Sequence, residues 1–395
     1  MSEIFHPHDL AAVRVNRKGA GRFESGHPWI FSSDVVERGG AAPGSVVRVL
    51  DPKGAFLGLA HFSETSQITL RLLSRVAVAI DRTFFLERLR EAETLRRLVV
   101  RDSNSYRLVH GEADSLPGLV IDRYDDYLVM QSLDQGMQAA QETIVSCLIE
   151  LFTPKGILAR NDSAVRKHES LPLETVVLHG EIPERTLIEM NGLRLEADLA
   201  HGQKTGVFLD QRENYLAAAR FAHGRALDCF TSTGGFALHM ASRCDTVEAV
   251  DSSGSALATA AANAKSNGID NIQFREADVF DVLSNYSRLR ASFQTIVLDP
   301  PAFAKSRSAV EAALRGYKDI NLRALRLLDR GGVLVTCSCS HHVDEGAFLE
   351  VLAEASLDAG KALRVLDRRT QAMDHPILLT VPETLYLKCV IAQVA

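Results

Sequence analysis

The sequence predicts an α/β protein whose C-terminal half is a mainly parallel sheet with helices on both faces, preceded by a small β-barrel and an α+β module. Three observations predict it. From about Asn191 onward, apolar strand-like runs alternate with amphipathic helical stretches, as parallel strands buried on both faces require. Up to about Val76, short strand-like runs are separated by turns rich in glycine and proline. The chain of 395 residues also exceeds what one hydrophobic core usually serves, so two or three domains are expected.

In chain order, the barrel strands are read at 45–50, 55–60 and 68–73, bounded by Pro43-Gly44 and by Asp51-Pro52-Lys53-Gly54. Ahead of them, Arg14, Arg17, Lys18 and Arg22 interleave with Trp29 and Phe31. Basic residues among aromatics suit a surface that grips phosphates and stacks bases. A solvated loop, with Trp29 filling the small core, is the plainer reading. The spacing of Leu86, Leu89 and Leu95 predicts a helix over 81–101. Strands follow at 106–109, 118–124 and 127–132, then a helix over 137–151 and further strands to about Leu178. The boundaries expected are 1–77, 78–188 and 189–395. In the last segment, strands are read at 226–230, 246–251, 272–274, 295–299 and 332–336, with Leu385 to Ala392 completing the sheet at its edge.

Bulk composition narrows the function classes. A hydrophobic fraction of 46% with 24% charged residues suits a globular fold. Neither a leader-like start nor an apolar run of ~20 residues is visible, so a cytoplasmic protein without membrane contact is expected. Six cysteines are too sparse for a disulfide framework at this length. Cys337 and Cys339 lack the second pair or spaced histidines of a zinc site, so no metal is expected. A net charge of −6 argues against nonspecific coating of nucleic acid but permits a local basic surface.

Ligands of open α/β sheets bind where strands end and helices begin. Four such ends carry an acid here. Asp228 precedes Thr231-Ser232-Thr233-Gly234-Gly235, where Thr231 and Gly234 lie in a loop that lets backbone approach a ligand. Asp251 ends the second strand, suited to accept both hydroxyls of a ribose. Asp278 follows the third and suits an adenine amino group. Asp299 closes the fourth, in Asp299-Pro300-Pro301. Each alone reads as a helix cap; four in register point to an adenosine-containing ligand. The run 228–236 lacks the glycine spacing that admits a pyrophosphate, and no phosphate loop occurs elsewhere. A nucleoside without phosphates fits better, which favours S-adenosylmethionine over a nicotinamide dinucleotide.

Five motifs resemble a known family, the bacterial RlmI-type large-subunit ribosomal RNA cytosine-5 methyltransferases, over nearly the whole chain. They are the runs at 27–31 and 111–119, Lys204 to Arg212, Asp299 to Phe303, and Ser338-Cys339-Ser340. The fourth is shared by many methyltransferases, whereas the third and fifth are specific in combination. The resemblance implies a PUA-like RNA-binding barrel and a Rossmann-like class I methyltransferase domain with a mainly parallel seven-stranded sheet. It implies S-adenosylmethionine as cofactor, S-adenosylhomocysteine as product and 23S ribosomal RNA as substrate. It places Lys204 and Phe208 along the cofactor pocket, with Gln211 and Arg212 near the methionine end. The plain alternative makes Asp210 a helix cap and Arg212 its exposed partner.

The resemblance also puts Cys339 at the catalytic position. Carbon 5 of cytosine is a poor nucleophile until a thiolate adds to carbon 6, and a cysteine thiolate both attacks and leaves well. The plain alternative makes Cys337 and Cys339 buried strand thiols at alternating positions facing the same side; because the strand is read as ending near Thr336, both are placed in the loop after it, and Cys339 is favoured. Asp299 is expected to hold the target base. Ala302 stands where some cytosine-5 RNA methyltransferases carry a second cysteine, so the group that removes the carbon 5 proton is not identified. Lys305, nearby, is read as a phosphate contact or a plain exposed lysine. Two alternatives stay open: an RNA methyltransferase acting on guanine nitrogen 7, which needs no thiol, and a nonenzymatic RNA-binding ribosome-assembly factor. The modified cytosine, the choice between naked RNA and assembled subunit, and a homodimer are also left open.

Overall fold

A computed structural model describes residues 9–200, 202, 207–304 and 306–395, so Lys204 and Lys305 lie outside the described residues. The chain divides into two compact units. The first comprises 1–188, 197–207 and 373–384; the second comprises 189–196, 208–372 and 385–395.

The first unit carries two sheets. Strands β1 (Ala12–Val15), β2 (Trp29–Phe31), β3 (Val35–Glu37), β4 (Val46–Leu50), β5 (Phe56–Phe62) and β6 (Ile68–Ser74) form a six-stranded sheet in the order β2-β6-β5-β4-β1-β3. Alternation selects its inner face: Val13 and Val15 of β1, and Val47 and Val49 of β4, are fully buried with Phe23 and Ile30. Helix α1 (Arg17–Glu24) begins at Asn16, whose side chain accepts the Gly19 N–H at 2.9 Å and so satisfies an orphan donor.

Helix α2 (Arg82–Val99) starts at Asp81, which caps it in the same way through Phe84 N. It packs on a five-stranded sheet of β7 (Ser105–His110), β8 (Leu119–Tyr124), β9 (Tyr127–Ser132), β10 (Gly156–Asn161) and β11 (Glu174–Gly180). The helix read over 137–151 is two: α3 (Gln135–Ala139) and α4 (Gln141–Phe152), broken at Ala140. Strands β12 (Thr186–Met190) and β13 (Leu193–Ala197) form a two-stranded ribbon.

The second unit is built on β14 (Gly224–Cys229), β15 (Cys244–Asp251), β16 (Ile272–Glu276), β17 (Phe293–Leu298), β18 (Leu328–Ser338), β19 (Leu363–Arg369) and β20 (Lys388–Val394). Their order is β16-β15-β14-β17-β18-β20-β19, all parallel except the two pairings of β20. The connecting helices are α5 (Arg212–Phe221), α6 (Gly235–Met240), α7 (Gly254–Ser266), α8 (Val279–Leu289), α9 (Val310–Leu327) and α10 (Glu345–Asp358). This is the expected parallel sheet with helical cover.

Two details differ from the sequence reading. The last strand is not at the edge: β20 lies between β18 and β19. Its side chains are buried almost throughout, which demands neighbours on both sides, whereas β19 carries Arg364, Asp367, Arg368 and Arg369 and tolerates an open edge. In addition, β18 runs to Ser338, held by Cys337↔Cys389 and Ser338↔Lys388 pairing. Cys337 is therefore a strand residue, not a loop residue.

Candidate active site

The strand order reverses between β14 and β17, which opens a crevice at their carboxyl ends, the usual ligand position in such sheets. Residues from five strand ends or loops gather there.

Asp228 is fully buried. Its Oδ2 accepts Thr231 Oγ1 at 2.6 Å and Ala237 N at 2.9 Å, while Oδ1 has no partner. These bonds fold the turn between β14 and α6 back on the strand. Desolvation pushes the carboxyl up to about 7, with the nearby Asp299 and Asp251 adding to the rise against the two hydrogen bonds. The turn requires left-handed backbone: Phe230, Ser232 and Gly234 have φ of 64°, 49° and 90°. Gly235 is required by space, because a Cβ there would lie 2.3 Å from the Tyr215 ring.

Asp251 ends β15 half-buried, and each carboxylate oxygen takes one backbone N–H at 2.9 Å, from Ser232 and from Ser253. Each oxygen keeps acceptor capacity, as a ribose diol requires. Asp278 is exposed and caps α8 through Phe280 N at 2.8 Å and Asp281 N at 3.2 Å, as the plain reading had it.

Asp299 Oδ2 accepts Gln211 Nε2 at 3.0 Å. Gln211 is itself fixed, since its Oε1 accepts Asn214 Nδ2 at 2.7 Å, so its amide must present N–H to Asp299. Asn214 in turn donates to Thr370 O and accepts from Arg369 Nε. Asp210 does not act as the helix cap: its Oδ2 accepts the Tyr386 hydroxyl at 2.8 Å. Arg212 is 2% exposed rather than a surface partner, beside Glu213 Oε1 at 3.3 Å. The Phe208 carbonyl accepts the Tyr215 hydroxyl at 3.5 Å.

The two neighbouring cysteines separate cleanly. Cys337 has no exposed surface, and burial raises its thiol well above the usual range. Cys339 follows the strand, is half-buried, and places Sγ 3.9 Å from the Pro300 carbonyl, beside Asp299. The flanking serines do the anchoring. Ser340 Oγ accepts the Ala304 N–H at 3.1 Å and shares a hydrogen bond with Tyr317 Oη at 2.9 Å, and both serines are fully buried. The Ser-Cys-Ser element thus fixes a turn by its serines and leaves the half-buried thiol beside the Pro300 carbonyl.

Sequence reasoning missed Asn214, Tyr317 and Lys388. Lys388 Nζ donates to Ser340 O at 2.7 Å and Tyr386 O at 3.0 Å. Its one legible signal is a lone charge inside the apolar run Leu385–Ala392. Among the described residues, no group of three or more His, Cys, Asp or Glu is arranged to hold a metal ion, and no helix is long and apolar enough to cross a membrane.

The basic residues of the six-stranded sheet are largely paired. Lys18 and Arg22 lie 3.7 and 3.8 Å from the buried Asp34, and Arg14 lies 3.6 Å from Glu37. Trp29 is half-buried and donates Nε1–H to Glu112 at 2.9 Å. Arg17 is exposed without a carboxylate partner among the described residues.

The sheet order defines a Rossmann-like fold, which binds ligands at the carboxyl ends of its strands, and the chain is an S-adenosylmethionine-dependent methyltransferase. Family models agree: residues 13–75 match a PUA-like domain and 107–378 an S-adenosylmethionine-dependent methyltransferase. The chain is 43% identical over 377 residues to the ribosomal RNA large subunit methyltransferase I of Shewanella amazonensis, covering 93% of this chain and 95% of that one. It is 42% identical over 371 residues to the same-named protein of Yersinia pseudotuberculosis, covering 92% and 94%. The chain belongs to this family of ribosomal RNA large subunit methyltransferase I proteins. In fold it is similar to a putative S-adenosylmethionine-dependent methyltransferase from Streptococcus mutans, with a TM-score of 0.82, 21% identity, and 97% and 100% coverage. A putative methyltransferase solved with S-adenosylhomocysteine gives a TM-score of 0.84 at 22% identity, covering 97% and 100%.

Proposed function

We propose that this protein methylates carbon 5 of a cytosine in large-subunit ribosomal RNA, with Cys339 as the nucleophile and the barrel segment 1–77 contributing RNA contacts. The observation that carries the reading is the half-buried Cys339 thiol 3.9 Å from the Pro300 carbonyl, next to Asp299.

Asp251 would hold the ribose of S-adenosylmethionine, with Phe208, Gln211, Arg212 and the turn at Thr231 and Gly234 around it. Asp228, by its hydrogen bonds to Thr231 and Ala237, holds that turn in shape. Asp278 lies after the third strand, where the adenine end would lie. When bound, this group supplies an electrophilic methyl carbon. The Cys339 thiolate adds to carbon 6 of the cytosine, and the new C–S bond pushes electron density onto carbon 5, the carbon that becomes methylated. Loss of the carbon 5 proton to a base then drives out the thiolate, which restores the ring and the free cysteine. Asp299, held by Gln211, would accept a hydrogen bond from the exocyclic amino group and so orient the ring.

The test is Cys339→Ala in a strain lacking the native protein, read by nucleoside mass spectrometry of large-subunit RNA. Loss of one 5-methylcytosine, with S-adenosylhomocysteine binding retained, is expected. Retained methylation, or a missing 7-methylguanine instead, would overturn the assignment.

A further inference from the structure

Lys388 is 5% exposed, and both its hydrogen-bond acceptors are neutral carbonyls, those of Ser340 and Tyr386. Among the described residues no carboxylate pairs with it. A buried ammonium without a counter-charge is unfavourable by several kcal/mol unless something compensates it. Burial accordingly pushes Lys388 down to about 8, and the two groups that pull it back up are Cys339 and Asp344. Asp344 is exposed and occupied in capping α10 through Ala347 N at 2.8 Å. The other groups around this corner are Tyr317 of α9, bonded to Ser340; Tyr386, whose hydroxyl is donated to Asp210; the exposed His341, whose ring lies 5.6 Å from that of Tyr386; and Asp299, next to the Pro300 carbonyl that Cys339 approaches.

We infer that Lys388 is a positioning residue for Cys339: it fixes the Ser340–His341 peptide, one residue beyond the cysteine, through Ser340 O and supplies the positive charge that a Cys339 thiolate requires. The inference rests on Cys339 being the nucleophile. The counter-ion absent from the resting site is the one the reaction creates. The thiol releases its proton to water, which reaches the half-buried sulfur, while Lys388 stays protonated and its ammonium is stabilised by the thiolate beside it. When carbon 6 takes the sulfur, that charge is withdrawn, and it returns when the thiolate leaves.

The experiment measures alkylation of Cys339 by iodoacetamide as a function of pH, read by peptide mass spectrometry; the other five cysteines are buried. Lys388→Met should move the midpoint upward by about one pH unit, a roughly tenfold slower reaction near neutrality. Lys388→Gln, which keeps a donor for Ser340 O but no charge, should shift in the same direction, and Lys388→Arg should stay near wild type. S-adenosylhomocysteine binding by calorimetry reports that each variant is folded. Superimposable profiles for wild type and the Gln or Met variant, with that binding intact, would overturn the inference. Because the readout is thiol reactivity, it is separate from the failure of the proposed mechanism, which a fully active Cys339→Ala would reveal.

Discussion

The carboxyl edge of the seven-stranded sheet and the surface of the six-stranded sheet both carry clusters of charged residues, and they handle charge in opposite ways. At the sheet edge, Asp228 and Asp251 are held by neutral donors: a threonine hydroxyl and three backbone N–H groups. Such donors fix a carboxylate without pairing its charge with a cation; on the half-buried Asp251 this leaves charge and spare lone pairs for a ligand, while the fully buried Asp228 shapes the turn. On the six-stranded sheet, Lys18, Arg22 and Arg14 face Asp34 and Glu37, and Arg22 also lies 4.5 Å over the Phe31 ring. Those cations are matched within the fold. A site built for a ligand shows itself by what its charged groups are left able to do, not by how many of them there are.

The largest effect that sharpens this contrast is expected at Asp299. Asp299→Asn keeps an acceptor for Gln211 but loses the charge toward the substrate, and should lower kcat by roughly a hundredfold or more with little change in S-adenosylhomocysteine binding. An unchanged kcat in multiple-turnover methylation of large-subunit RNA would remove Asp299 from the mechanism.

Next is Asp228, whose carboxyl is raised from 3.8 to about 7. The folded state binds its proton more tightly than the unfolded chain does. The stability it contributes is therefore full below about 3.8 and lost as pH rises through about 7. Asparagine reproduces the acceptor for Thr231 and Ala237 without the ionisation. Asp228→Asn should raise the melting temperature of the ligand-free protein at pH 8, with the gain shrinking toward pH 5. A gain that is flat with pH would contradict the burial argument.

The smallest effects belong to the six-stranded sheet. Arg22→Ala leaves the buried Asp34 with Lys18 as its nearby cation and the Asn16 amide as its hydrogen-bond donor, and should lower the melting temperature by roughly a few degrees. Arg17→Ala should leave the melting temperature unchanged and reduce the salt slope of RNA binding by about one. If the two variants exchange these behaviours, the division between compensating and displayed cations fails.

The fold was legible where one physical rule dominates. Alternating apolar strands and helices gave the parallel sheet, and its strand ends carried the acids. The edge position of the last strand was misread because a single strand's pattern does not name its neighbours. Only the comparison of β20, buried almost throughout, with the charged β19 assigns the edge. The distinction between Cys337 and Cys339 was also beyond the sequence, since it depends on pairing with Cys389, which carries the strand two residues past Thr336. The plain reading of Asp210 as a helix cap failed because its partners come from distant segments at 372 and 386. Lys388 left a trace, but a lone charge in an apolar run does not say what it faces.

The most direct measurement uses large-subunit RNA carrying 5-fluorocytosine at the methylated position, incubated with the enzyme and S-adenosylmethionine. Fluorine cannot leave as a proton does, so the covalent adduct should accumulate as a denaturation-resistant complex whose peptide map carries the base on Cys339. Absence of the complex with RNA that is otherwise methylated, or attachment at any other residue, would contradict the account.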